Sequence, residues 1–62
     1  MTYEEAVAHS KATGQKIKHE YFCGGEYFVW KSGALRCELG YDMNRWYCGA
    51  DWQINGWSIV TE

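Results

Sequence analysis

The sequence predicts a small α+β fold in which one short N-terminal helix packs on an antiparallel sheet of four to five strands. A helix-start signal near the N-terminus is followed by apolar residues at spacings of three and four. Several later segments alternate apolar and polar residues, which is typical of short strands. With 62 residues, the chain is long enough for a single domain, residues 1–62, with one small core.

The first segment predicts a helix over residues 3–13. Thr2 and Glu5 have the spacing of a capping box, in which the hydroxyl and the carboxylate each accept a hydrogen bond from a free backbone N–H group. Gly14 is a suitable helix end because glycine adopts the left-handed conformation at little cost. The helix is expected to present one stripe to the sheet, formed by Tyr3, Ala6, Val7 and Ser10.

The segments after this helix predict strands. In "QKIKHEYF" the expected inward residue is Ile17, and Gly24–Gly25 predicts a turn with positive φ at both positions. "EYFVWK" has the strongest β propensity in the chain. We expect Phe28 and Trp30 to lie on the sheet face away from the helix, where only a second copy or another partner could cover them.

The C-terminal half predicts further strands. "ALRCEL" alternates, and "RWYC" is a weaker strand candidate. Asn55–Gly56 predicts a two-residue hairpin turn that joins "WQI" to "WSI". This hairpin favours core positions for both Trp52 and Trp57, and the alternative leaves one of them at the surface, lining a pocket between subunits. Alternation along "ALRCEL" would place on one strand face Leu35, Cys37 and Leu39.

Composition limits the possible partners. A net charge of −2 is unlike the basic surface of a nucleic-acid binder, so direct nucleic-acid binding is not expected. No stretch is long and apolar enough to span a membrane, and the N-terminus lacks signal-peptide features, so the expected location is the cytoplasm. With 4 Trp, 5 Tyr and 2 Phe, the chain has more rings than a small core can hide, which favours self-association or a ligand pocket.

The cysteines are expected to be free thiols, because their number is odd and the expected compartment is reducing. A less favoured alternative is a zinc site, although no Cys-x-x-Cys pair is present. That site would use His19, Cys23, Cys37 and Cys48. We therefore expect neither a metal nor a cofactor.

No catalytic motif stands out. Nucleophile elbow, phosphate-binding loop and metalloprotease signature are all missing from the sequence. His9 and His19 are expected to be solvated, although His19 beside Lys16 or Lys18 is an alternative anion contact. Cysteine and histidine can form a nucleophile pair, but nothing in the sequence brings them together. The sequence therefore predicts a protein that is not an enzyme.

The order of these signals resembles a family of small phage proteins, the Thoeris anti-defence sponge-like family. "TYEEAVAHSKATGQKIKHEYF" resembles its cap, its Glu-Glu-Ala helix start and its first strand. "GEYFVWKSG" resembles the next hairpin of the family, and "DWQI" and "NGWSIV" compete for its closing Asp-Trp-x-Ile/Val signature. The resemblance implies a phage protein that acts in the host cytoplasm as a homo-oligomer, with pockets between subunits that sequester cyclic ADP-ribose-type signalling nucleotides.

Under this hypothesis the nucleotide base would stack on an exposed aromatic ring. The rings expected to serve are Trp30, Trp46 and Trp57. Phosphates would meet cationic side chains, for which the candidates are Lys16, Lys18 and Arg45. The ribose hydroxyls would be bound by Asp51 or Asn44.

The alternative hypothesis is a phage inhibitor that binds and blocks a host defence protein, such as a CRISPR-Cas effector. Aromatic residues and arginine dominate protein-binding hot spots. The stretch "NRWYCGADW" concentrates such residues, namely Arg45, Trp46, Tyr47 and Trp52. A third possibility is a domain whose aromatic face only forms a homodimer.

Overall fold

The computed structural model describes residues 1–61 and confirms the predicted fold class. Its elements are α1 (Tyr3–Thr13), β1 (Ile17–His19), β2 (Phe28–Lys31), β3 (Ala34–Cys37), α2 (Asp51–Ile54) and β4 (Trp57–Ile59). The strands form one antiparallel sheet in the order β3-β2-β1-β4. Within residues 1–61, neither helix has the length and apolar character needed to cross a membrane.

Helix α1 begins and ends where its sequence signals predict. The Thr2 hydroxyl accepts a hydrogen bond from the Glu5 N–H group at 3.2 Å, and the Thr2 N–H group donates to the Glu5 carboxylate at 2.8 Å. At the other end, Gly14 has φ +76° and donates its N–H group to the Ser10 carbonyl at 2.7 Å. The capping box and the glycine end are therefore both confirmed.

The core lies between α1 and one face of the sheet. Its fully buried members are Ala6, Ile17, Phe28, Leu35 and Trp57. The buried Ser10 hydroxyl fixes the helix to the sheet, because it donates to the Gln15 carbonyl at 2.7 Å and accepts from the Trp30 N–H group at 2.9 Å. Ser10, the polar member of the predicted helix stripe, thus links α1 to β2.

The expectation that Phe28 and Trp30 face away from the helix was wrong. Phe28 is only 4% exposed and belongs to the core, and Trp30 lies opposite the buried Leu35 in the β2–β3 register. The alternation of a strand fixes which residues share a face but not which face meets the helix. The opposite sheet face carries mostly polar residues, namely Lys18, Val29, Arg36 and Ser58.

The predicted Asn55–Gly56 hairpin was also wrong. "DWQI" forms the one-turn helix α2, and β4 pairs with β1 instead. A two-residue type I′ turn needs positive φ at both central positions, whereas Asn55 has φ −114° and only Gly56 is positive, at +92°. Trp57 is 3% exposed and Trp52 is 48% exposed, so the favoured prediction of two core tryptophans fails and one of them lies at the surface.

Three smaller expectations also differ. The segment "RWYC" forms a turn and an irregular loop, not a strand. Leu39 lies beyond the end of β3 and is 74% exposed, so it does not share the core face with Leu35. In the Gly24–Gly25 turn only Gly25 has positive φ, at +89°.

We expect Gly56→Ala to destabilise the protein by about 1–2 kcal/mol, because a β-carbon disfavours the left-handed conformation. The new methyl group would also meet the Glu20 carboxylate, which must move. Urea unfolding of both proteins measures the difference. Gly24→Ala is the matched control, since this glycine has no positive φ and open space around it. Equal midpoints for the two variants would contradict the prediction.

The capping box predicts a pH dependence at the acidic end. Hydrogen bonds from Thr2 hold the pKa of Glu5 below its ordinary value of 4.5. A lowered folded-state pKa stabilises the fold above the unfolded-state pKa, and this stabilisation is lost as the pH falls through the folded-state value. The melting-temperature advantage of the wild type over Glu5→Gln should therefore shrink between about pH 6 and pH 3.

The matched control for this experiment is Glu4→Gln. It removes the same charge from the same helical turn without touching the cap hydrogen bonds. An identical pH trend in both variants would show that the general interaction of acidic side chains with the helix dipole, not the capping box, causes the effect.

Candidate functional site

The candidate site is an aromatic cleft of about 460 Å³. We use the name aromatic cleft for the concavity lined by Tyr21, Phe22, Glu26, Trp46 and Trp52. The first two residues follow β1, Glu26 precedes β2, Trp46 ends a turn and Trp52 belongs to α2. Its size lies in the range of small-molecule sites, which is roughly 300–1,000 Å³.

The rings of the aromatic cleft stand mostly at right angles to one another. The Trp46 and Trp52 ring centres are 5.7 Å apart with an angle of 88° between the ring planes. Phe22 and Trp46 are 5.9 Å apart at 78°. Tyr21 and Trp52 are 6.0 Å apart and tilted by 37°. Edge-to-face contacts of this kind are favourable between aromatic rings, so the walls support one another.

His19 fixes the two segments that supply Tyr21 and Trp52 to the aromatic cleft. This residue is 2% exposed, and its Nε2 lies 2.6 Å from the Trp52 carbonyl and 2.8 Å from the Asn55 carbonyl. Its Nδ1 accepts a hydrogen bond from the Tyr21 N–H group at 3.1 Å. Because carbonyls only accept and the N–H group only donates, these partners assign the neutral tautomer with the proton on Nε2.

The expectation of a solvated His19 was therefore wrong, and so was the alternative that it contacts an anion. Both ring nitrogens are occupied by backbone groups on two sides of the aromatic cleft. The sequence hides this because His19 stands between Lys18 and Glu20, which are both exposed. Alternation along β1 buries every second residue, which places Ile17 and His19 inward together.

Gln53 holds the loop that presents Trp46. Its side chain is 3% exposed, and its Nε2 donates to the Trp46 carbonyl at 3.0 Å. Its Oε1 accepts from the N–H groups of Cys48 at 3.1 Å and Ala50 at 3.2 Å. One buried amide thus ties residues 46–50 to α2 and replaces regular secondary structure in that loop.

Glu26 places a carboxylate at the edge of the aromatic cleft. Its Oε1 accepts from the Cys23 N–H group at 2.6 Å, and its own N–H group donates to the Cys23 carbonyl at 3.0 Å. These two bonds close the tight turn through Gly25 and fix the direction of the side chain. Within residues 1–61, no lysine or arginine lines the aromatic cleft.

A second cavity of about 170 Å³ adjoins the aromatic cleft. Phe22 and Glu26 line both, so they form a common wall. The second cavity contains Lys18, the only cationic residue among its lining side chains within residues 1–61. Lys16 lies nearby with its Nζ 4.5 Å from the centre of the Tyr27 ring.

The structure brings together only part of the predicted ligand site. Trp46 lines the aromatic cleft, whereas Trp57 is buried and donates its indole N–H to the Gln53 carbonyl at 2.7 Å, which leaves it no free ring face. Trp30 lies half-buried elsewhere, with the Lys11 Nζ 5.1 Å from its ring centre. The remaining predicted residues, which are all exposed and outside the lining of the aromatic cleft, are Lys16, Lys18, Asn44, Arg45 and Asp51.

The predicted protein-binding residues are likewise divided. Trp46 and Trp52 meet in the aromatic cleft, and Arg45 is exposed beside them in sequence. Tyr47 stacks face to face on Tyr3, with ring centres 3.9 Å apart and planes at 1°. Burial, and secondarily electrostatic repulsion from the nearby Tyr47 phenol group, raise the pKa of Tyr3. Tyr47 thus fastens its loop to α1 and offers a partner at most one ring face.

Three lining residues were not predicted as site residues, namely Tyr21, Phe22 and Glu26. The sequence feature that could have identified them is the Tyr21–Phe22 pair, which follows β1 and precedes a glycine turn. That turn reverses the chain and brings the next carboxylate back beside the rings.

The cysteines do not converge on a common site. Cys23 and Cys48 are exposed, Cys37 is half-buried, and all three are free thiols. Within residues 1–61, no three side chains of the His, Cys, Asp and Glu types gather as a metal site would require. The zinc alternative with His19 therefore has no support in the structure.

We expect His19→Leu to lower the free energy of unfolding by about 2–4 kcal/mol, because it leaves two partly buried carbonyls and one partly buried N–H group without their hydrogen-bond partner. For a domain of this size the melting temperature should fall by more than about 10 °C. Thermal unfolding followed by circular dichroism measures this shift. His9→Ala is the control, since the side-chain hydrogen bond of His9 goes to the exposed Gln15 side chain. A shift no larger than in the control would contradict a stabilising function for the His19 hydrogen bonds.

No protein-family model, curated protein or solved structure matches this chain. The resemblance to the anti-defence family therefore stays a prediction.

Proposed function

We propose that this chain is a small phage-type anti-defence protein that sequesters a host signalling nucleotide of the cyclic ADP-ribose type. The observation that supports the proposal best is the pairing of the aromatic cleft with a lysine-bearing cavity across a common wall. A sponge acts by binding alone. It requires a pocket with affinity for the signal but no catalytic group.

The aromatic cleft fits the base of such a nucleotide. Trp52 is 48% exposed and Tyr21 is 68% exposed, so each offers surface on which a base can stack. Base–aromatic stacking contributes about 1–3 kcal/mol per base. The Glu26 carboxylate, held by Cys23, lies where it can accept hydrogen bonds from ribose hydroxyls.

The phosphates would extend into the adjoining cavity. Lys18 lines that cavity at the far side of the Phe22 and Glu26 wall, and an ammonium group is a suitable phosphate ligand. In this arrangement Lys18 keeps the phosphate-binding function expected from the sequence. Trp46 keeps its expected stacking function, while Trp30 and Trp57 do not take part.

A second copy of the chain completes the proposed pocket. The aromatic cleft is open to solvent on one side, and its outer rings are large exposed apolar groups. Exposed aromatic patches of this kind commonly mark association surfaces. A homo-oligomer would cover the open side and shield the bound nucleotide from water.

The second candidate is an inhibitor that binds a host defence protein. The observation in its favour is the position of Trp46, Trp52 and Tyr21 around one open surface, because clustered aromatic rings dominate protein-binding hot spots. Arg45 is exposed next to Trp46 in the chain and would add a charged contact at the edge.

Thermal unfolding in the presence of cyclic ADP-ribose isomers tests the sponge. A ligand at 100 times its dissociation constant adds about 2.7 kcal/mol of stability, which should raise the melting temperature by about 10 °C or more. Trp52→Ala should abolish the shift, and Lys18→Ala should reduce it. The matched controls are Tyr41→Ala, an exposed aromatic outside both cavities, and Lys31→Ala, an exposed lysine outside both.

No shift with any isomer would overturn the sponge. The same protein, used as bait in host lysate, would then test the second candidate. A stoichiometric partner that is retained by the wild type and by Tyr41→Ala, but lost with Trp52→Ala, would establish protein binding through the aromatic cleft.

A further inference from the structure

The aromatic cleft combines aromatic walls and a fixed carboxylate, and no cationic side chain among residues 1–61 lines it. We infer that it is a binding site for an organic cation, specifically a quaternary ammonium head group. This inference does not depend on the nucleotide proposal, because it follows from the ring geometry and the charge of the aromatic cleft alone.

The ring geometry suits a compact cation, whereas a flat base can stack on only one exposed ring of the aromatic cleft at a time. A planar group held on both faces needs two parallel walls, but Trp46 and Trp52 stand at 88° and Phe22 and Trp46 at 78°. Rings that stand at right angles can contact a rounded group from more than one direction. Each ring face carries the negative end of its quadrupole, so the exposed surfaces of Tyr21 and Trp52 can attract a positive charge.

The charge of the lining favours the same ligand. Glu26 is its only charged member within residues 1–61, and the hydrogen bond from Cys23 holds the carboxylate in place before any ligand arrives. This bond uses Oε1, and the described part of the chain supplies no partner for Oε2. A carboxylate beside aromatic faces gives a cation both an ion pair and cation–π contacts.

Two lysines of the chain make cation–π contacts with other rings. Lys11 lies over Trp30 at 5.1 Å and Lys16 over Tyr27 at 4.5 Å. Within residues 1–61, these two contacts involve rings outside the aromatic cleft. Within the described residues, no lysine or arginine of the chain lies over a ring of the aromatic cleft.

A quaternary ammonium suits this site better than a primary ammonium. A lysine ammonium carries three N–H donors. Among the described side chains that line the aromatic cleft, the Glu26 carboxylate is the only charged acceptor for them. Burying unsatisfied donors is costly. A trimethylated nitrogen has no donor to satisfy, is weakly hydrated, and presents an apolar surface to the rings while it keeps its full charge.

The test is a titration followed by the indole N–H resonances of the four tryptophans in ¹H–¹⁵N spectra. Choline should shift the resonances of Trp46 and Trp52 saturably, with a low-millimolar dissociation constant. Trp30 is the internal reference, since it lies outside the aromatic cleft. The matched ligand is 3,3-dimethylbutan-1-ol, which has the shape of choline without its charge. Equal binding of the two ligands would overturn the inference.

Glu26→Gln is the most informative variant. The amide keeps an oxygen acceptor for the Cys23 N–H group and removes only the charge, so the fold should be retained. Choline affinity should fall by about threefold to fivefold, the factor expected for one exposed charge pair. Glu38→Gln, which removes the same charge outside the aromatic cleft, should bind choline as the wild type does. Equal affinities in the two variants would overturn the assignment of Glu26.

A second arm identifies the source of the cation. A short peptide with a trimethyllysine is titrated in parallel with the same peptide carrying unmodified lysine. Stronger binding of the trimethyllysine peptide than of choline assigns the site to a modified protein, and the reverse assigns it to a free metabolite. Equal binding of the two peptides would contradict the preference for a quaternary nitrogen. The titrations with choline and the peptides contain no cyclic nucleotide. A negative result in them would therefore not bear on the proposed nucleotide binding, and a negative result with the nucleotides would not bear on the cation site.

Discussion

The buried imidazole of His19 is the interaction on which the rest of this small structure depends. It lies at the end of β1 opposite Trp57 of β4, and its ring contacts Tyr21, Trp52 and Trp57 at centre distances of 5.2 to 5.6 Å. Its two nitrogens bond the segment after β1 on one side and α2 on the other. Without these bonds, neither wall of the aromatic cleft would have a fixed position relative to the sheet.

Buried polar groups perform the same function at two other places. Ser10 joins α1 to β2, and Gln53 joins the irregular loop of residues 46–50 to α2. A polar side chain that leaves water must find partners, and when it does it specifies one arrangement of the backbone. Within residues 1–61, every buried side-chain nitrogen and oxygen has such a partner. A chain with so few core residues thereby obtains a defined structure.

Some aromatic residues lie in the core and others at the surface, and ring contacts connect the two groups. Phe28 and Trp57 fill the core, while Tyr21 and Trp52 lie at the surface. Trp46 touches both groups, since its ring lies 5.0 Å from Phe28 and 5.7 Å from Trp52. The walls of the aromatic cleft therefore rest directly on the core. A ligand that contacts Trp46 or Trp52 would meet rings that are already positioned, so little conformational freedom is lost on binding.

The sequence alone determined the features that depend on local chemistry. The helix of residues 3–13 follows from Thr2, Glu5 and Gly14, whose effects reach only a few residues along the chain. The same holds for the strand character of β1, β2 and β4 and for the α+β class. The tertiary structure alone decided which face of β2 meets the helix, because alternation is symmetric between the two faces. It also decided that "DWQI" is a helical turn, since β4 pairs with β1 and the φ of Asn55 is not that of a type I′ hairpin turn. The aromatic cleft depends on the same long-range choice: Tyr21 and Trp52 lie 31 positions apart in the sequence, and the β1–β4 pairing and the His19 hydrogen bonds bring them together.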